Sequence, residues 1–182
     1  ARELLDSTDQ NGLVHRPVAL DVSFNGLKMT NCTPLFMALQ FPSVEIIELL
    51  LDAGASPWWK NVAGLPGKAH AVLMAALYAR IADSLAPLQY LVNRYPEQVN
   101  SRRNMGIFRV PPIGMCAGSC TAEAVKVLLE AGANPLLRIG HGDPLLVTVA
   151  HENIDHGHEI AQLLLMRPDV REDVNSKIVQ PW

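Results

Sequence analysis

Apolar positions along this chain recur at helical rather than strand spacing, in short bursts that come in pairs. Leu35, Ala38 and Leu39 fall on one face of a short helix. Thr33 is placed to cap it and Pro34 fits its first turn, where no backbone donor is needed. Phe41-Pro42-Ser43 breaks the pattern, with Ser43 as the next cap. Ile46, Ile47, Leu49, Leu50 and Leu51 then give a second helix a wide apolar stripe, and Gly54 supplies the left-handed stop. The predicted unit is a hairpin of two short helices, followed by an extended loop from about Ala55 to Ala69.

The phrase Leu49-Leu50-Leu51-Asp52-Ala53-Gly54-Ala55-Ser56-Pro57 returns as Val127-Leu128-Leu129-Glu130-Ala131-Gly132-Ala133-Asn134-Pro135, shifted by 78 positions. Thr33-Pro34-Leu35 returns as Pro111-Pro112-Ile113 at the same offset. That offset is close to twice the period of about 33 to 40 residues of small helical repeats. Two weaker units fill the intervals. Ala71 to Ala76 with Pro87 to Val92 forms one, without a threonine cap or a terminal glycine. The other opens at Asp143-Pro144-Leu145-Leu146, where Asp143 is the expected cap, and continues through Ile160 to Met166 until Arg167-Pro168.

Thr33-Pro34-Leu35-Phe36-Met37-Ala38 resembles the Thr-Pro-Leu-His-x-Ala box of the ankyrin-repeat family, with Phe36 where histidine is usual. The leucines before Ala53-Gly54-Ala55 and Ala131-Gly132-Ala133 resemble that family's second-helix ending, and Gly157-His158-Glu159-Ile160 resembles the turn that opens it. The resemblance spans roughly 31 to 170 and implies an all-α, ankyrin-like helical repeat solenoid of about four units with long finger loops. The whole chain, 1–182, is then a single array. It has an irregular lead-in at 1–30, repeats at about 31–69, 70–109, 110–141 and 142–170, and a partial element at 171–182. The lead-in is expected to carry the end of a helix at Arg2 to Leu5 and an irregular connection through Pro17 and Gly26. After the last hairpin come the apolar Ile178, Val179, Pro181 and Trp182. Trp182 either tucks against the final helices as a cap or meets protein outside this chain, and outside contact is the expectation because Pro181 keeps Trp182 off a regular helix.

Composition narrows the class of function. A chain of 182 residues, 49% hydrophobic but only 5% aromatic, suits stacked helices with an aliphatic core. A net charge of −3 argues against a general nucleic-acid or membrane-surface binder. No apolar run is long enough to span a bilayer. The absence of an initiator Met and of a signal-peptide pattern is read as a processed product or a fragment. Three cysteines, an odd number, point to free thiols in an intracellular reducing compartment: the cytoplasm, or an organelle after removal of a targeting peptide.

Catalytic and metal chemistry find little support. Cys116 and Cys120 share a helix face, and His141, His151, His156 and His158 follow, but a zinc site needs about four converging ligands. Cys116 stands at a core position of the box, and packing accounts for the thiols. No nucleophile elbow is present, and Gly140-His141-Gly142-Asp143 lacks the Lys and Ser/Thr of a phosphate loop. The expectation is a non-enzyme with no cofactor and no metal.

What remains is surface. In the implied fold the loops between units project as fingers beside a concave face. These fingers hold Trp58, Trp59 and Lys60, then Arg102, Arg103, Phe108 and Arg109, then Arg138. Tryptophan and arginine are the types most enriched among binding hot spots. Residues 94–109 carry four arginines against Glu97, whereas 141–173 carry seven acids against two arginines. The middle finger thus suits an acidic segment of a partner, and the C-terminal end a basic one or water. The expected function is a non-catalytic protein–protein interaction module. The alternatives are a structural subunit of a larger assembly or the repeat arm of a larger enzyme.

Overall fold

The computed structural model describes residues 22–24, 27–29, 33–60, 68–79, 84–105, 108–139, 142–153 and 155–175. The expectations at Arg2 to Leu5 and at 178–182 lie outside these residues. The described chain is mostly helical, and its helices come in pairs. These are α1 (Pro34–Ala38) with α2 (Val44–Asp52), α3 (Ala71–Tyr78) with α4 (Ala86–Arg94), α5 (Pro112–Ser119) with α6 (Ala122–Glu130), and α7 (Leu145–Glu152) with α8 (Gly157–Leu165). A short α9 (Pro168–Glu172) packs on α8.

Local chemistry sets the ends of these helices. Thr33 Oγ1 accepts from Phe36 N at 3.3 Å and Pro34 opens the first turn of α1. Ser43 precedes α2 but makes no capping bond; its hydroxyl donates to Glu45 Oε2 at 3.1 Å instead. At the other end of α2, Gly54 takes a φ of 91° while Ala55 N reaches back to Leu50 O at 2.9 Å. The second copy repeats this ending, with Gly132 at 86° and Ala133 N on Leu128 O at 2.9 Å. Both are helix stops in which glycine supplies the left-handed residue and satisfies otherwise orphaned carbonyls.

Two features depart from the sequence expectation. The chain is not purely α: strands β3 (Trp58–Lys60) and β4 (Lys68–His70) pair antiparallel where an extended loop was expected. β1 (Val22–Phe24) pairs with β2 (Leu27–Met29), and β5 (Arg103–Met105) with β6 (Phe108–Val110). Aromatic and long side chains favour such pleated pairs, and antiparallel pairing satisfies backbone groups that a loop would leave to water. The second departure is Asp143, which does not cap α7. Its N–H and carbonyl are taken by a β-bridge to Ile139, both bonds at 2.9 Å, and α7 starts after Pro144 with no side-chain cap.

The pairs stack in chain order. α3, α5 and α7 pack against one another as one row, and α2, α4, α6 and α8 as a second. α1 joins through Phe36, whose ring meets Tyr78 edge-on at 5.9 Å. The core runs between the rows, with Leu35, Phe36, Ile47, Leu73, Leu91, Ile113, Leu128 and Ile160 almost wholly buried. Polar ties cross from unit to unit. Asn100 donates to Gly132 O at 2.9 Å and accepts from Asn134 N at 2.7 Å. Asn153, buried, donates to Ala117 O and Cys120 O at 3.0 and 2.9 Å.

Candidate partner-binding edge

Strand alternation decides the fate of the two tryptophans. Adjacent residues of a strand face opposite ways, so Trp58 and Trp59 cannot share an environment. Trp58 pairs in register with His70, Trp59 with Ala69 and Lys60 with Lys68. Trp59 turns inward and is 6% exposed. Its Nε1 donates to Thr33 Oγ1 at 2.6 Å and its ring meets Phe36 edge-on at 5.5 Å. The expectation that Trp59 is a contact residue is therefore corrected: it is a core residue that ties the hairpin back to the cap of α1.

Trp58 faces out, 38% exposed, with its ring against the imidazole of His70 at 5.4 Å. Ser56 fixes its backbone, the Oγ accepting from Trp58 N and donating to Trp58 O, each at 3.2 Å. His70 is a fully buried residue that the sequence did not single out. Its Nδ1 accepts from Leu73 N at 3.2 Å, doing for α3 what threonine does for α1. The ring proton is thereby placed on Nε2, 3.4 Å from Ser101 O, the acceptor it meets. Gln98, also buried, accepts from Val72 N at 3.2 Å. A histidine just ahead of an apolar helical run was the signal for this cap, overlooked because histidine is a less usual cap than threonine.

β4 and β5 lie side by side, which sets the β3–β4 pair next to the β5–β6 pair. Arg102 is exposed there. The side chains of Lys60, Arg103, Phe108 and Arg109 lie outside the described part of the structure. Arg138 stands apart. Its Nη2 donates to Asp173 Oδ1 at 2.9 Å, joining the connection before α7 to the end of α9. It is engaged within the chain while its side chain stays 36% exposed.

The candidate chemistry resolves into packing. The thiols of Cys116 and Cys120, both buried, donate to Ala76 O at 3.6 and 3.3 Å, occupying a carbonyl in the last turn of α3. The Cys120 thiol beside it, and then burial, hold the Cys116 thiol well above its ordinary range. Among the described residues no three His, Cys, Asp or Glu side chains are grouped to hold a metal ion. Gly140 and His141 lie outside the described residues, and Gly142 serves the turn between Ile139 and Asp143 with a φ of 115°. No described helix is long and apolar enough to cross a membrane.

A search of curated proteins found no match to this chain. Residues 30–62 match the family model described as ankyrin repeat. Repeats of this kind are generally protein–protein interaction modules and generally non-catalytic. The matched segment takes in the Thr33 cap, both helices of the first pair, the Gly54 stop and the strand that carries Trp58 and Trp59, and over these residues the chain is similar to an ankyrin repeat.

Proposed function

We propose that the whole array is one ankyrin-like solenoid of four units, at about 31–69, 70–109, 110–141 and 142–170, that binds a protein partner without catalysis. The projecting hairpins supply the binding edge, together with the concave face of the neighbouring helices. The observation that carries this reading is Trp58, a large apolar ring held out on a hairpin whose backbone is fixed. A rigid aromatic loses little entropy on binding and is a frequent hot spot. Lys60, Arg102, Arg103 and Arg109 in the same two hairpins suit an acidic segment of that partner. The same reading places the chain in a reducing, intracellular compartment, consistent with two buried free thiols.

A photo-crosslinker at position 58 should capture the partner from native extract, whereas one at the outer-helix residue Glu48 should not. With the captured partner in hand, Trp58→Ala is expected to weaken binding by about 2 kcal/mol with folding intact. Substituting Arg102 should mainly slow association and flatten its salt dependence. Equal losses from Trp58→Ala and Glu48→Ala would remove the hairpin edge as the interface.

A further inference from the structure

The rows of stacked helices are closed differently at their two ends. Between α2 and α4, Arg94 Nη2 reaches Asp52 Oδ1 at 2.8 Å while its Nη1 donates to Tyr90 Oη at 2.7 Å. Between α6 and α8 the same positions are filled differently. Glu130 follows Leu129 as Asp52 follows Leu51, so the acid is kept. Buried Leu88 and Val92 of α4 correspond to buried Ile160 and Leu164 of α8. Arg94 lies two residues beyond Val92, and two residues beyond Leu164 stands Met166. The cation of the inter-helix pair has become an apolar side chain.

The consequence is an open groove of about 360 Å³ between α6 and α8, with Ala122, Leu163 and Met166 as its apolar lining and Glu123 and Glu159 on opposite helices. Met166 is 73% exposed and the adjoining Leu165 36%. Lys126 is the one cation among the lining residues, and it sits 3.9 Å from Glu130. Glu159 has only a long contact, 3.9 Å, with His156 Nδ1. An apolar floor with a glutamate on each of the two helices matches an aliphatic helix with basic flanks.

We infer that the α6–α8 groove is a second docking site, on the side of the array formed by the outer helices, for a basic, leucine-rich helical segment of a partner protein. The segment brings the cation that Arg94 supplies between α2 and α4 and covers Met166 with aliphatic side chains. This site does not depend on the hairpin edge.

The test uses the full chain and a labelled, short helix-forming peptide of leucine and lysine, with a twin carrying glutamate for lysine, followed by fluorescence anisotropy. The lysine peptide is expected to bind at least about tenfold tighter than its twin. Reversing the rims with Glu123→Lys and Glu159→Lys should invert that preference. Met166→Arg should put a cation at the position that Arg94 fills in α4, close the groove and lower affinity about tenfold without lowering the melting temperature. Trp58→Ala should leave this binding unchanged, which separates failure here from failure of the hairpin edge. Absence of lysine-peptide binding, equal binding of both peptides, or indifference to Met166→Arg and to the rim reversals would each overturn the inference. So would a wild-type dimer in sedimentation that Met166→Arg dissolves, because the occupant would then be a second copy of the chain.

Discussion

At the scale of single residues, Trp58 and Trp59 differ in consequence because one peptide bond turns them to opposite faces of a strand. Trp59→Ala removes a buried ring and the donor on Thr33 Oγ1, so it is expected to cost about 3–5 kcal/mol of stability. Trp59→Phe keeps the aromatic contact and loses the hydrogen bond, a smaller cost of about 1 kcal/mol. Urea denaturation separates the two, and a Trp59→Ala midpoint equal to wild type would return this residue to the surface. Cys116 gives a second residue-level expectation. Its folded-state thiol titrates well above the ordinary range, so the folded state keeps a proton that the unfolded chain gives up. That contribution is complete below the ordinary thiol range and is lost as pH rises through the folded value. Stability should therefore decline on the alkaline side. Cys116→Ser, which can still donate to Ala76 O but does not titrate there, should flatten the decline in alkaline urea melts.

At the scale of elements, the helix stops test whether glycine is needed for its backbone or for its size. A Cβ on Gly54 or Gly132 meets nothing within 4 Å, so the cost of alanine there is the left-handed conformation alone, about 1–2 kcal/mol each. The two sites are far enough apart in the array for the costs to add. Gly118 is the opposite case. Its added Cβ would lie 2.6 Å from Glu152 Oε2, the mobile end of an exposed side chain, while alanine favours the helix by about 1 kcal/mol over glycine. Gly118→Ala should be neutral or stabilising in thermal melts. These helix ends were legible in the sequence because they are local: Thr33, Gly54 and Gly132 each act within a turn of where they stand. The hairpins were not, since Trp58 pairs with a residue well beyond its own turn, His70, and pairing depends on register rather than on composition. The candidate edge was half legible for the same reason. Sequence singled out both tryptophans, but only alternation on a paired strand says which one is outside. Arg138 needed Asp173, 35 positions away, before its role could be read.

At the scale of the molecule, each helix pair meets chiefly its sequence neighbours, so stability is a sum of unit terms and interfaces between units. The pair α5–α6 has packed neighbours on both sides, α3 and α4 before it and α7 and α8 after it. Ile113, Cys116, Ala117, Val125 and Leu128 within it are all fully buried. Val170, in contrast, belongs to the short α9, which packs chiefly on α8. Ile113→Ala and Val170→Ala therefore remove comparable kinds of surface from very different places. Ile113→Ala should cost about 2–5 kcal/mol and lower hydrogen-exchange protection in α3 and α7 as well as in α5, because both interfaces share that side chain's neighbourhood. Val170→Ala should cost less and raise exchange only in α9 and the end of α8. The pattern follows from nearest-neighbour coupling, in which a defect in an interior unit weakens two interfaces and a defect at the margin weakens one. Hydrogen exchange read element by element is the measurement. If Ile113→Ala loosened α5 without touching α3 or α7, the units would be folding independently and the stacked rows would not be one cooperative body.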